Sequence, residues 1–267
     1  MGRQEYSLMQ YDPLKDKFAG IIDNFPFLRK FFYALLDMLL LRQWYVKKAI
    51  KKYFPRNRPI NFYDAGAGYG QYSYFVLKYF PQAKVQAVDL KTDYMASFSR
   101  YARLVGWQDF RVQQADLTDY IPKARFDLII AIDILEHIEE DEKVLQNFRK
   151  VLAAGGKLII SSPSNLDDSA KFVEEHVRPG YDKDEIISKL QNAGFKLVSF
   201  DYSYGRFGHL AWLMILRFPL SLLGISKTFW LLLPVYYLIF YPATALFMWL
   251  DLIGKNKIGT GIVVVAE

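Results

Sequence analysis

The sequence predicts an α/β fold: a doubly wound, seven-stranded sheet with helices on both faces, an N-terminal amphipathic helix, and a hydrophobic helical insertion between the last two strands. Three observations predict it. A short apolar strand runs straight into a glycine loop at residues 60–70, INFYDAGAGYG. From Pro59 onward, apolar strand-like runs alternate with helix-like segments, the pattern of strands buried between two helical layers. Before the last strand that alternation is interrupted by a long hydrophobic stretch.

At 267 residues the chain can hold one large α/β domain with additions. Hydrophobic residues make up 52% and aromatics 17%, more than an ordinary core absorbs. The chain has no cysteine, which excludes disulfides, a thiolate nucleophile and a cysteine metal site. Its three histidines are too scattered to suggest a metal cluster, so no metal is expected. The net charge of +6 sits at one end: residues 1–58 carry 12 Lys/Arg against 5 Asp/Glu, whereas residues 59–267 carry 22 against 23. A domain gripping nucleic acid over a broad face would carry its own positive surface, so nucleic acid is disfavoured as a partner.

Residues 1–24 are polar and irregular, without a cleavable signal pattern. Residues 25–54 read as one helix with Phe31, Phe32, Leu35, Leu36, Leu39 and Leu40 on one face and basic residues at both ends. The apolar block is too short to span a bilayer. It suits a helix lying in the interface, its lysines near anionic headgroups; the alternative is a helix packed on the domain. The first strand ends at Asp64, and Gly66, Gly68 and Gly70 follow at every second position, opening a helix from Gln71. Glycine permits a sharp turn and close ligand approach, and the free N–H groups of a helix start face whatever sits there.

Further strands are expected at 85–90, ending at Asp89; at 110–117, ending near Asp116; at 126–133, ending at Asp133; and at 157–163, 195–203 and 261–267. A helix over 141–152 is expected to close at Gly155 and Gly156, and Asp182 to cap a helix that stops at Gly194. Between Lys227 and Asp251 lie 23 uncharged residues, roughly 34 Å as a helix, enough for a bilayer core of about 30 Å.

Asp64, Gly66, Gly68 and Gly70 match, position for position, the D/E-x-G-x-G-x-G first motif of the class I S-adenosylmethionine-dependent methyltransferases, and the chain resembles that family. Gln71 stands where the dinucleotide fingerprint G-x-G-x-x-G has its third glycine, which disfavours a nicotinamide enzyme. The segment D-x-L-E-H, Asp133 to His137, resembles the methyltransferase type 11 branch that includes the ubiquinone O-methyltransferases; this likeness covers roughly residues 58–203.

The resemblance implies a Rossmann-like fold, S-adenosylmethionine as methyl donor and S-adenosylhomocysteine as product. It implies that Asp64, Ala65, Gly66, Gly68, Gly70 and Tyr72 surround the cofactor's loop, with Tyr72 alternatively filling space. Asp89, with Leu90, would accept the ribose hydroxyls; Asp116 and Leu117 would meet the adenine, Asp116 alternatively being a turn residue. Asp133 would face the methionine end. His137 is the candidate general base, or else a helix-start histidine. His176, Arg178 and Tyr181, in EEHVRPGY, would orient the acceptor or merely pin their loop.

The resemblance also implies antiparallel sixth and seventh strands, the seventh beside the fifth. One membrane crossing would then strand the last strand on the wrong side. The insertion must enter and leave on one side, as a hairpin or as helices in one leaflet; a lid or dimer interface is the alternative. Arg217 makes a double crossing costly.

The resulting division is 1–58, a basic amphipathic region; 59–203 with 260–267, a cofactor-binding domain; and 204–259, a membrane-associating insertion. The expected activity is methyl transfer, on oxygen by preference, to an apolar or lipid-linked small molecule at an anionic membrane surface on the cytoplasmic face. The alternatives are an RNA or protein methyltransferase and a non-catalytic membrane-attached cofactor-binding module.

Overall fold

A computed structural model describes residues 26–90, 92–166 and 177–267. Its centre is a seven-stranded sheet in the order β3-β2-β1-β4-β5-β7-β6. The strands are β1 (Asn61–Ala65), β2 (Lys84–Asp89), β3 (Phe110–Gln114), β4 (Phe126–Ile132), β5 (Leu152–Pro163), β6 (Leu197–Ser203) and β7 (Gly261–Ala266). The first five run parallel, and β7 inserts antiparallel between β5 and β6. Strands β4 and β7 are almost wholly buried, as their unbroken apolar sequences require.

Before the sheet come α1 (Pro26–Leu39) and α2 (Leu41–Tyr53); between its strands lie α3 (Gln71–Tyr79), α4 (Thr92–Leu104), α5 (Asp141–Val151) and α6 (Lys183–Asn192). Neighbouring β1 and β4 send their chains to opposite faces, so a crevice opens above their carboxyl ends.

The expected single helix over 25–54 is two helices, broken at Leu40, whose backbone is extended. Part of its apolar face is spent on the core, while Phe31 is 67% exposed. Phe32, Tyr33 and Leu36 of α1 are buried, and Leu41, Tyr45, Val46 and Ile50 of α2 pack over β5, β6 and β7. One hydrophobic cluster joins these residues to Phe62, Ile130 and Val263 of the sheet. The packed alternative thus holds for the buried part of this face. The reason is geometric: β6 and β7 extend the sheet past α3, and α2, together with Ala211, Ile215 and Met248 of the insertion, covers that flank. Part of the basic end is engaged too, with Lys47 paired to Asp37 and Lys51 over the Phe75 ring.

Two boundaries near the site differ from expectation. Strand β3 stops at Gln114, leaving Asp116 in a turn. Helix α5 ends at Val151, and Gly155 and Gly156 lie inside β5 rather than capping the helix. They sit beside a register shift against β4, and Gly155 has a φ of 72°, so they build a bulge. The cap at Asp182 is present, its carboxylate accepting from Glu185 N–H at 2.8 Å.

The insertion is a helical hairpin. Helix α7 (Arg206–Trp212) continues through a π turn (Leu213–Arg217) into α8 (Phe218–Ile225); a 3₁₀ turn (Lys227–Leu231) leads to α9 (Leu233–Ile253). The uncharged stretch is therefore not one helix: Pro234 sits in the first turn of α9, where its missing N–H costs nothing.

Antiparallel contacts zip the arms, with the Tyr236 and Tyr237 hydroxyls donating to the Met214 and Ile215 carbonyls. At the base, buried Asp251 accepts from Gly208 N–H at 2.8 Å and from the Tyr45 hydroxyl at 2.9 Å, tying the hairpin to α2. Both arms, Arg206–Ile225 and Leu233–Ile253, are long and apolar enough to cross a membrane. Leu231, Leu238, Ile225 and Ile239 are all more than 60% exposed. So many exposed large apolar side chains on one hairpin point to an interaction surface rather than ordinary scatter.

Candidate functional site

The glycine loop is shaped by its backbone. Gly66, Gly68 and Gly70 all have positive φ. A Cβ on Gly66 would stand 2.7 Å from the Ile134 side chain, whereas one on Gly68 would meet nothing within 4 Å. The first position is sterically reserved for glycine; the second is open for a ligand to approach. Gly66 and Ala67 N–H groups bond to the Val88 carbonyl, locking the loop to β2.

The strand-end acids surround this loop in different ways. Asp89 is half-buried and accepts from Gly68 N–H at 2.8 Å, which fixes its carboxylate over the cleft. Asp64 lies beneath the loop, 2% exposed, accepting from Ser73 N–H at 3.1 Å and the Ser73 hydroxyl at 2.6 Å. Burial pushes its carboxyl up to about 7 despite those bonds. Among the described residues no cation pairs with it.

Asp116 turns one oxygen onto Thr118, accepting from its N–H at 2.8 Å and its hydroxyl at 2.7 Å. Those bonds hold its carboxyl below the usual range. It serves the turn while still lining the cleft. Gly66, Leu90, Leu117, Asp133 and His137 complete a hollow of about 730 Å³. Ala65 ends β1 below it, and Tyr72 is buried under α3 against Arg42, outside the lining.

A second cavity of about 440 Å³ meets the first at Asp133, which lines both. Asp133 has a φ of 49°, a left-handed conformation an aspartate tolerates. Its N–H donates to the Ser161 carbonyl, and its carboxylate pairs with Arg42. The floor of this cavity is Ser161 and Ser162 of β5; Arg42 comes from α2, and Tyr204, His209, Trp212 and Arg217 come from the hairpin. Beneath the floor, Glu136 is fully buried and accepts from the Ser162 hydroxyl at 3.0 Å, its other oxygen having no hydrogen-bond partner among the described residues. Burial raises its pKa.

His137 lies in a 3₁₀ turn and lines the first hollow, not the second cavity. Arg178 and Tyr181 are drawn away from both. Arg178 donates to the Tyr181 hydroxyl at 2.7 Å and pairs with buried Asp141, which Lys189 also contacts at 2.8 Å. Tyr181 is fully buried and donates to Asp141 at 2.6 Å. Neither lines either cavity, and their polar atoms pin the loop to α5 and α6, the alternative role expected for them. His176 lies outside the described residues.

Sequence reasoning gave no role to Arg42, Glu136, Ser162, Tyr204, His209 or Trp212. The cluster FGHLAW, directly after β6, was the one legible signal, since polar groups in an apolar insertion need a reason.

The hollow fits a cofactor that brings positive charge and a sugar diol: an open glycine, a positioned carboxylate at the end of β2, and an uncompensated buried carboxylate below. The comparisons agree. A trans-aconitate 2-methyltransferase of Azoarcus sp. is 30% identical over 105 residues, 39% of this chain and 40% of that protein. Phosphoethanolamine N-methyltransferase 1 of Arabidopsis thaliana is 31% identical over 140 residues, 49% of this chain and 28% of that protein. The chain thus spans less than half the length of these curated relatives.

The structure of Haemonchus contortus phosphoethanolamine N-methyltransferase 2 in complex with S-adenosyl-L-methionine superposes with a TM-score of 0.58 at 18% identity. It covers 81% of this chain and 50% of that one, a likeness of fold. The family profile described as "Methyltransferase domain" matches residues 57–200, more than half of the sequence. The chain therefore belongs to the methyltransferase-domain family, in its class I, seven-stranded form, whose methyl donor is S-adenosylmethionine.

Proposed function

We propose that this protein is an S-adenosylmethionine-dependent methyltransferase that methylates an apolar or lipid-linked small molecule at a membrane surface, by preference on oxygen. One observation carries the reading: the cofactor hollow and the second cavity meet at Asp133, and the hairpin supplies the second cavity's outer wall. The D-x-L-E-H segment supports a place near the ubiquinone O-methyltransferase branch, and the acceptors named for the Azoarcus and Arabidopsis relatives are small molecules. The exposed hairpin and the remaining surface lysines of α2 support attachment to anionic lipid at the cytoplasmic face, entering and leaving on one side. The division into 1–58, the core domain and the 204–259 insertion is part of this proposal.

When bound, the cofactor supplies an electrophilic methyl group on a sulfonium. Asp89 would hold its ribose hydroxyls, Asp116 and Leu117 its adenine, and Asp64 would balance positive charge near the glycine loop. Arg42 fixes Asp133 at the junction, which orients the reacting ends of both cavities; positioning of this kind does most of the work in a displacement. His137, on the hollow's wall, takes the proton of a hydroxyl acceptor, a contribution of about 10²–10⁴-fold.

The test is labelled-methyl transfer into a total lipid extract, with total RNA and total protein as parallel acceptors. Label in organic-soluble product, reduced in His137→Ala, supports the reading. Label confined to RNA or protein refutes the substrate class, and cofactor binding without label anywhere favours a binding module. Equal activity on a water-soluble acceptor after deletion of 205–257 would remove the membrane role.

A further inference from the structure

We propose that the acceptor is an anionic amphiphile: its carboxylate or phosphate is held by Arg217, and its hydrocarbon chain passes out through an apolar vestibule at the hairpin's base. This inference rests on the methyltransferase reading and specifies its substrate class.

A third hollow of about 580 Å³ opens beside the second cavity and shares Leu166, Tyr204, His209 and Thr260 with it. Its exposed wall is almost entirely carbon, with Leu210 and Ile258 at the outer side and Arg206 also in the lining. Leu166, Leu210 and Ile258 are 50%, 40% and 69% exposed. The three hollows form one series, from the cofactor's carboxylates, through Asp133, to the apolar surface of the hairpin. A ligand spanning the last two must be polar at the Asp133 end and apolar at the other.

Charge selects within that class. Arg217 lines the second cavity from the π turn. It is the single Lys or Arg between Phe207 and Ser226, in an arm apolar enough for a membrane, where a cation is costly and marks function. Among the described residues no carboxylate pairs with it. Arg42, the cavity's other cation, is already matched by Asp133.

Arg217 stands over the Trp212 ring, 5.8 Å from its centroid. Five residues along an α-helix point well apart; the i→i+5 turn brings Arg217 round to Trp212 and aims both at the cavity. π turns recur at functional sites.

The experiment uses the full chain in phosphatidylcholine nanodiscs and 9,10-dibromostearate as probe, with dibromostearyl alcohol as the neutral match. The readout is bromine quenching of Trp212, isolated by subtracting Trp212→Phe. Half-quenching of the wild type should need less acid than alcohol. Arg217→Met should weaken the acid about tenfold, a loss of one charged contact, and leave the alcohol unchanged. Arg217→Lys should keep most of the preference, and Ile258→Phe should weaken both probes.

Equal response to acid and alcohol, or no Trp212 quenching, overturns the proposal. So does a second pattern: Arg217→Met losing affinity for phosphatidylglycerol vesicles while its acid response is unchanged, which assigns Arg217 to bilayer headgroups. S-adenosylmethionine binding is measured separately by calorimetry. Its absence in the wild type overturns the methyltransferase reading, whereas an unaltered Trp212 response in Arg217→Met overturns this inference alone.

Discussion

Asp64→Asn separates the charge of the carboxylate beneath the glycine loop from its shape. Asp64 is 2% exposed, and among the described residues Ser73 alone donates to it. Burial, with the Asp89 charge nearby, pushes its carboxyl from 3.8 up to about 7. The folded protein therefore keeps a proton that the unfolded chain releases near pH 4. The stability this proton confers is fully present below about pH 4 and is lost as pH rises through about 7. The shift amounts to about 4 kcal/mol; about 1.5 kcal/mol is already lost at pH 5, and about 2–3 kcal/mol goes between pH 5 and pH 8.

Asparagine does not ionise, but its amide leaves a buried donor unmatched, a cost of about 1–3 kcal/mol at every pH. The stability of Asp64→Asn relative to wild type should therefore rise by about 2–3 kcal/mol from pH 5 to pH 8 and level off above. Urea unfolding of cofactor-free protein in one detergent, followed by tryptophan fluorescence at pH 5 to 9, measures this. A difference that does not change with pH refutes the reasoning. Saturating S-adenosylmethionine should reverse the order at pH 8, because a positive ligand compensates an ionised Asp64 and not an asparagine.

Gly66→Ala places a Cβ 2.7 Å from Ile134 at a φ of 74°; it should cost about 1–3 kcal/mol and abolish cofactor binding in calorimetry. Asp251→Ala strips the acceptor from Gly208 N–H and leaves the Tyr45 hydroxyl only the backbone carbonyl of residue 251; a loss of about 1–3 kcal/mol is expected, with faster proteolysis at the hairpin base. Arg178→Met breaks the pair with buried Asp141 and should lower stability by about 1–3 kcal/mol while cofactor affinity, read by calorimetry, stays unchanged; a selective loss of affinity would return Arg178 to the site. His137→Ala should reduce methyl transfer more than His209→Ala if the base stands in the cofactor hollow; the opposite order in labelled-methyl assays would move that role to the acceptor cavity.

By itself the sequence determined the sheet, the loop and the place of the hairpin. Those signals are local: buried parallel strands are apolar runs, a turn at positive φ demands glycine, and a capped helix writes its ends in neighbouring residues. Asp64, Gly66 and Asp89 could be named because a strand, a turn and a helix start fix them within a few residues.

What only the tertiary structure decided depends on which distant surfaces meet. The helix-forming stretch from Phe31 to Ile50 has the same amphipathic pattern whether it faces lipid or a sheet, and only the flank left open by β6 and β7 assigns it to the core. Arg178 and Tyr181 carry the side chains of a binding site, but Asp141, about forty residues before them in the chain, consumes their polar atoms. The second cavity draws Arg42, Asp133, Ser162 and Arg217 from four separate elements, and no spacing along the chain encodes that convergence; it exists because β7 returns between β5 and β6 and sets the hairpin's base beside the carboxyl ends of the parallel strands.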